Sequence, residues 1–496
     1  MTTVTITAEP LSIEDLLAVV AGAPVALGPD ARSRIVASRA VVDAALASGD
    51  AIYGLTTGVG HDKDTRVSDT ELRSQQHMVV MTHSGGVGPP LPTELVRAAL
   101  TVRLNGIARG GSGASPAAAD VLAARLNAGV HPIVPARASV GAGDLGPMAG
   151  IAQVAIGMGR AEYQGEHLSG GEALRRAGIA PLVLEGRDGL ALVSANGVSI
   201  GHAAVVVARA TRTAAAADVS VALSMEATGA NPSVAHPAVA RAKPFPGQGA
   251  VAEHLRDLLA GGHLLAGGPP HSVQDALSFR VVPQVHGALR EYIAFARRAV
   301  EVELNAASDN PLVSADDQAM ISNGNFHPMV LAIAFDALRV AIAHVGQLSE
   351  RRMSHLWDAF FARMATAGPP TSGDGAPPRL FGLQLRYPAA AVFSELKQLA
   401  APATLDAPPL DIGVEDHATS APLSVRKADD ALELLDDILA IELLLAGDLL
   451  STMADAPVSG AGAAAALRLI AEAAAVAEPH PEDVHRALRE RFPQRD

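Results

Sequence analysis

Apolar residues recur along much of the chain at alternating three- and four-residue steps, the spacing that lines one face of an α-helix. In the late segment Ala431, Leu434, Ile438, Ile441 and Leu445 follow this rule, while Asp429, Asp430, Asp436, Asp437 and Asp448 fall between or beyond them. One face is apolar and the other acidic, which predicts an amphipathic helix. The same pattern predicts helices over residues 196–227, 282–304, 329–356 and 463–477. The long apolar runs 199–217 and 432–450 carry charged or polar residues at helical spacing, so they are expected as buried helices and not as membrane spans.

Breaks between these segments are uneven. Residues 367–378 (AGPPTSGDGAPP) and 401–413 (APATLDAPPLDIG) combine Pro, Gly and Asp and are expected as loops, the first exposed and mobile. Two further clusters, 243–249 (KPFPGQG) and 261–270 (GGHLLAGGPP), interrupt the region after the first long helix. No fixed-period repeat is present.

Composition sharpens the fold class. Aromatic residues make up only 3% of the chain, so the core must be built from small aliphatic side chains that let helices approach closely. That favours an all-α bundle over a β-sandwich. The 496 residues leave room for about three domains or one large helical unit with appendages. With 52 acidic against 38 basic side chains the net charge is −14, which repels phosphate backbones, and no basic stretch offsets it; a nucleic-acid partner is not expected. The absence of cysteine excludes disulfides, thiolate zinc sites and a cysteine nucleophile. Met1-Thr2-Thr3-Val4-Thr5 lacks the basic patch and apolar run of a secretory signal, so a cytoplasmic protein with no membrane partner is expected.

Four polar or glycine-rich clusters interrupt the helical pattern. Tyr53–Gly60 (YGLTTGVG) surrounds one of four tyrosines with glycines that let the backbone bend and present a phenol to an open site, where a phenolate can act as a base. The others are residues 138–147 (ASVGAGDLGP), residues 305–312 (NAASDNPL) followed by Gly324-Asn325-Phe326-His327, and Glu415-Asp416-His417. Separately, each also reads as ordinary structure: Asp-Asn-Pro as a turn, Asn-Phe-His as a loop, Glu-Asp-His as a helix N-terminus. No pair of histidines has ligand spacing with a carboxylate at the matching offset, so no metal site is expected; His77, His202 and His344 read as packing or surface residues.

In this order the clusters resemble the histidine and aromatic amino acid ammonia-lyase family, with its related aminomutases, over about Leu11 to Ala477. Tyr53–Gly60 matches the family's Tyr-Gly-x-x-Thr-Gly-x-Gly, and Thr82-His83-Ser84-Gly85-Gly86-Val87-Gly88 is similar to its Ser-His-x-x-Gly-Val-Gly. Asn105-Gly106, residues 126–132 (LNAGVHP), Asn196-Gly197, Gln274-Asp275 with Ser278 and Arg280, residues 283–287 (PQVHG), Asp309-Asn310-Pro311, Gly324–His327 and residues 349–352 (SERR) continue the match. The resemblance implies an all-α fold with a long central helical bundle of the L-aspartase type and a smaller, loop-rich N-terminal part. Its expected division is a tail at 1–10, an N-terminal domain at 11–195 carrying the Tyr53 loop and the segment 138–150, a bundle at 196–480 and a tail at 481–496.

The resemblance further implies a homotetramer whose active sites combine three subunits and act on a small amino-acid-like substrate. Carried over by position, Tyr53 removes the β-proton and Arg280 binds the substrate carboxylate, for which a guanidinium is suited. Asn196 and Phe326 lie around the electrophile, and His83, Gln274 and Glu415 line the substrate pocket, together with Leu277. The Glu415-Asp416-His417 run resembles the histidine-using branch, which favours an imidazole or similar polar ring.

That family builds its electrophile, 4-methylideneimidazol-5-one (MIO), from a consecutive Ala-Ser-Gly. Here the cofactor-forming segment reads Ser139-Val140-Gly141-Ala142-Gly143-Asp144-Leu145, one residue short, and the missing residue is the serine. Without its hydroxyl there is nothing at Ala142-Gly143 to dehydrate into a methylene. Ser139 is the local substitute, but β-branched Val140 crowds the nitrogen that must attack. Leu277 replaces a family tyrosine, Pro328-Met329 replace the usual Gly followed by Glu or Gln, and residues 145–150 (LGPMAG) depart from Leu-Ala-Pro-Leu-Ala-His. Three readings follow: a lyase releasing ammonia through an electrophile made from other residues, an electrophile-free lyase whose substrate carries its own leaving group such as a quaternary ammonium, and a non-catalytic binding or scaffold subunit. The expectation adopted is a carbon–nitrogen lyase acting by α,β-elimination, with MIO in question.

Overall fold

The structure is a computed structural model that describes residues 1–68, 70–267, 270–367, 379–405, 407–453, 457–475 and 479–492. Most of the loop expected at 367–378 lies outside these residues, as do parts of the clusters at 261–270 and 401–413 and the end of the helix expected at 463–477. The chain divides into two compact units, the first made of Met1–Val206, Arg297–Ala334 and Pro402–Arg426, the second of Val207–Ala296, Phe335–Ala401 and Lys427–Asp496. Four of the five divisions fall within long helices, Gly197–Thr228, Val282–Leu304, Met329–Ala367 and Ala421–Ser451.

These four are the helices that the periodicity predicts, and a fifth, Ala461–Ala473, accompanies them. By length and apolarity Asp188–Thr228 and Met329–Thr366 could cross a membrane, but their most apolar windows are 94% and 56% buried, the first a core-helix value. In the first unit Thr93–Ala108 is buried from Leu95 to its end, on every side and not on one stripe, and its buried Arg97, Thr101, Arg103 and Asn105 are hydrogen-bonded. Helix Pro116–Ala128 shows local signals acting together: Ser115 accepts from the Ala118 N–H, proline opens the first turn, and Gly129 closes it at φ +73°.

Among the described residues the first unit also holds nine strands of two to four residues. Val4–Ile6 pairs parallel with Val25–Leu27, and Val87–Pro90 pairs antiparallel with Pro135–Arg137. His131–Pro132, Arg160–Tyr163 and Glu166–Ser169 make a three-stranded sheet, and Leu312–Ser314 pairs with Ala319–Ile321. Both segments expected as tails carry structure: the strand Val4–Ile6 near the start and the helix Pro481–Arg491 near the end.

The second unit packs around Val221, Met225, Val251, Leu255, Phe279 and Val282. Helix Pro246–Leu258 begins inside the break expected at 243–249. Proline fits its first turn, where the missing N–H would lack a helical partner anyway. Gly247 is there for contact: a Cβ would lie 2.3 Å from the Gly287 carbonyl oxygen. Glu415-Asp416-His417 is not a helix N-terminus; the helix starts at Ala421, and Glu415 exchanges backbone hydrogen bonds with Leu410.

Candidate active site

Tyr53 sits on a loop folded back on itself, with the N–H groups of Leu55, Thr56 and Thr57 all directed to the Ile52 carbonyl at 3.0–3.1 Å. The Gly60 N–H donates to the Tyr53 hydroxyl at 3.0 Å and fixes the phenol. Two glycines are required: Gly54 has φ +63° with a prospective Cβ 2.2 Å from Leu190 Cδ2, and Gly60 has φ +59° with one 2.0 Å from Asp411 Oδ2.

Asp144 anchors the segment that carries Ala142 and Gly143. Its carboxylate accepts from the Ser199 N–H at 2.7 Å, the Ser199 hydroxyl at 2.9 Å and the Ser139 hydroxyl at 2.9 Å. Ser199 lies in the first turn of Gly197–Thr228, a helix terminus that favours an anion. Burial nevertheless pushes the Asp144 carboxyl up, against the pull of the Ser199 and Ser139 hydrogen bonds. The Phe326 carbonyl accepts from the Gly143 N–H at 3.1 Å and from Asn196 Nδ2 at 2.8 Å. Thr419 donates to the Gly141 carbonyl at 2.7 Å, tying the same segment to the Glu415 loop.

Together these loops enclose a cavity of about 480 Å³ lined by Tyr53, His83, Ala142, Phe326 and Glu415 among the expected residues. Asn196 is buried behind Phe326, and Gly143 and Asp144 lie beside Ala142 without lining it. His61, Asp62, Leu190, Ser194, Asn310 and Asp411 also line the cavity. His61 and Asp62 directly continue the Tyr53 loop and could have been read from it; Asp411 arrives from a segment whose composition says only that it turns. Gln274, Leu277 and Arg280 belong to the second unit. There the Gln274 amide oxygen, in the orientation that satisfies both groups, accepts from Arg280. Arg280 ends the short helix Leu277–Arg280, whose Ser278 carbonyl accepts from Arg352 at 3.0 Å; Arg352 in turn makes a two-pronged pair with Glu442 at 2.6 and 2.9 Å. The Arg352–Glu442 link was not foreseen, although Arg352 stands in a matched motif.

No lysine or arginine of the first unit lines this cavity among the described residues, whereas three carboxylates do, Asp62, Asp411 and Glu415. Burial pushes the Tyr53 phenol up, and Glu415 and Asp411 add to it against the Gly60 hydrogen bond. Glu415 is itself raised by burial and by Asp411. His61 is raised by its 2.8 Å bond to Asp411 and by the Asp62 charge. His83 Nδ1 lies 2.8 Å from the Val79 carbonyl, so Nδ1 carries a proton and Nε2 is the remaining ring nitrogen. The arrangement can hold a cation and move a proton.

The residues present do not fit an MIO group. Ala142 stands directly before Gly143, and the Gly143 nitrogen that would have to attack donates to Phe326. Ser139 does not line the cavity; its hydroxyl donates to Asp144 and accepts from the Gly141 N–H at 3.0 Å.

A family model described as aromatic amino acid lyase matches residues 11–472. A histidine ammonia-lyase from Anaeromyxobacter sp. (strain K) is 41% identical over 467 residues, covering 92% of this chain and 91% of its own. Among solved structures, the ergothioneine-degrading enzyme ergothionase from Treponema denticola, in complex with desmethyl-ergothioneine sulfonic acid, superposes with TM-score 0.91 at 27% identity, over 99% of both chains. Histidine ammonia-lyase from Trypanosoma cruzi does so with TM-score 0.85 at 30% identity, over 99% of this chain and 94% of that one.

Proposed function

Because the chain belongs to the aromatic amino acid lyase family, and so to the carbon–nitrogen lyases, we propose that it eliminates a quaternary amine from a betaine-type, imidazole-bearing amino acid without an internal electrophile. The observation that carries this reading is the combination of a missing serine at Ala142-Gly143 with a cavity whose charged lining is acidic. Ammonia is a poor leaving group and needs activation; a quaternary ammonium is cationic at every pH and departs with the bond's electron pair as a neutral tertiary amine.

In this assignment Tyr53, as phenolate, takes the β-proton, the Cα–N bond breaks, and the products are an acrylate and the amine. A fixed positive charge beside the phenol offsets the burial that raises its pKa, so the substrate itself helps to generate the base. Asp62, Asp411 and Glu415 favour the cation, and His83 and Glu415 face the ring. Arg280 holds the carboxylate, with Gln274 and Leu277 beside it, in a cytoplasmic homotetramer whose protomers complete one another's sites. The tautomer assigned to His83 leaves an acceptor for an imidazole N–H.

A second reading, ammonia release from histidine, is favoured by the 41% identity to a histidine ammonia-lyase. Incubation with histidine, its trimethylbetaine and ergothioneine, followed by ultraviolet absorbance of a conjugated acrylate, separates the two. Turnover of a betaine by protein of unmodified intact mass supports the proposal. Turnover of histidine alone, by protein lighter by two waters, replaces it with the second reading. Absence of turnover on all three leaves the binding-subunit reading.

A further inference from the structure

A second cavity of about 480 Å³ lies in the first unit, lined by Arg137, Ser139, Val140, Gly143, Leu423 and Arg426 among others. It shares Ala142, Leu145 and Glu415 with the Tyr53 cavity, so these three side chains stand between the two spaces. The charge differs between them. The Tyr53 cavity presents carboxylates, whereas the second presents two guanidiniums against one carboxylate, Glu415.

The guanidiniums of exposed Arg137 and half-buried Arg426 make no hydrogen bond or ion pair among the described residues, whereas other arginines of this acidic protein do, for example Arg103 with Asp309, Arg209 with Asp436 and Arg352 with Glu442. Arg137 is not loosely placed. It ends the strand Pro135–Arg137, and its guanidinium runs along Gly88, where a Cβ would lie 2.7 Å from Nη1. Gly88 has φ +91°, so a side chain is unfavourable there on conformational grounds too. Arg426 projects from the first turns of Ala421–Ser451. Gly143 adds room: a Cβ there would meet nothing closer than Leu145 at 3.5 Å.

We propose that this second cavity is an anion-binding chamber that receives the acrylate product through its carboxylate, with Arg137 and Arg426 as the binding groups. The inference rests on the elimination reading for the identity of the anion, and on the paired cavities for the site. Elimination from a betaine converts one zwitterion into an anion and an amine that protonates in water. A protein of net charge −14 repels the anion everywhere except at a local basic surface. Adjoining cavities of opposite charge let the products separate, the acrylate toward the arginines and the ammonium toward Asp62, Asp411 and Glu415.

The test uses the full chain with trans-3-(imidazol-4-yl)acrylate as the probe, in Arg137→Gln, Arg426→Gln, the double variant and Arg426→Lys. Equilibrium binding is read by calorimetry and product inhibition by kinetics. A charge-assisted hydrogen bond of about 1.5–3 kcal/mol corresponds to a loss of roughly tenfold or more in affinity for each glutamine variant, with partial recovery in Arg426→Lys. The uncharged amide of the same acrylate should bind weakly and ignore the substitutions. Unchanged acrylate affinity in a folded double variant overturns the proposal. So does a rise in substrate KM equal to the rise in the acrylate inhibition constant, because the arginines would then hold the substrate carboxylate. If no substrate is turned over, arginine-dependent acrylate binding still supports the chamber while the elimination reading falls.

Discussion

In the first unit the buried side chains Asp188 and Arg187 bond to backbone of loops and helix ends, and Asp144 to serine hydroxyls and a helix N–H. In the second, Asp218 and Glu442 bond to side chains on other helices. Asp188 accepts from the N–H groups of Ser115 and Glu185 at 2.7 and 3.0 Å, and Arg187 donates to the carbonyls of Ser112 and Pro311 at 3.0 and 2.8 Å. Asp218, on Gly197–Thr228, is bonded by His254 from Pro246–Leu258 and by His286 and Arg290 from Val282–Leu304. Glu442 accepts from Ser224, Ser349 and Arg352, joining three helices at distances of 2.5–2.9 Å. The difference teaches that buried polarity has two uses here. It holds non-repeating loops around a cavity, or it sets the register of helices whose small aliphatic faces would allow sliding. The electrostatics follow. Burial raises Asp144 and Asp188, which meet mostly neutral donors. Asp218 and Glu442 are buried too, yet hydrogen bonds from His254 and His286 to the first, and the Arg352 charge beside the second, hold them below the usual carboxylate range.

The comparison is broken most severely by Glu442→Ala, which leaves Arg352 charged and unpaired in the helical core. A loss of about 3–5 kcal/mol is expected in thermal or denaturant unfolding, with Glu442→Gln milder. Activity should fall with it, since Arg352 also supports the helix that carries Arg280. Tyr53→Phe tests the loop side. Turnover should drop about 10²–10⁴-fold with little change in melting temperature. With Tyr53 as the proposed base, kcat/KM of the native protein should climb as pH rises through its elevated pKa, since the proposal makes the deprotonated phenol the active form.

Glu303 sharpens the contrast, since its carboxylate has no partner among the described residues and burial pushes it up to about 7. Between its unfolded and folded pKa values the folded chain keeps a proton that the unfolded chain has released, so this group lowers stability as pH rises across that window. Glu303→Gln should therefore match the native protein at pH 5 and exceed it at pH 8, by at most about 3 kcal/mol, read from melting curves at the two pH values. Gly141→Ala is the mildest: at φ +85° a Cβ would press within 2.3 Å of Thr419 Oγ1, and about 1–3 kcal/mol is expected.

The helical segments were legible because their apolar spacing persists over several turns; Val282–Leu304 agrees at both ends. Met329–Ala367 outruns the expected end at 356, because the polar and aromatic residues after Leu356 blur the stripe without stopping the helix. The strands were not legible, since two to four residues are too few to show alternation. Of the cavity, Tyr53, His83, Ala142, Phe326 and Glu415 were reached through motifs. Asp411 and Leu190 were not, because only folding brings them beside Tyr53, and no local pattern records that approach. Arg137 and Arg426 carried no signal either, as isolated arginines in an acidic chain.

The oxygen of Phe326 is a meeting point for three stretches far apart in the sequence, the 138–147 loop, the start of a core helix and its own turn. With Asp144 clamped to Ser199 just beyond, the loop is pinned on the downstream side of Ala142-Gly143 as well. A change of loop length between such fixed points would be taken up locally and not passed on to the helices. A loop tethered in this way can vary in length and chemistry at its apex while the helices behind it keep their places.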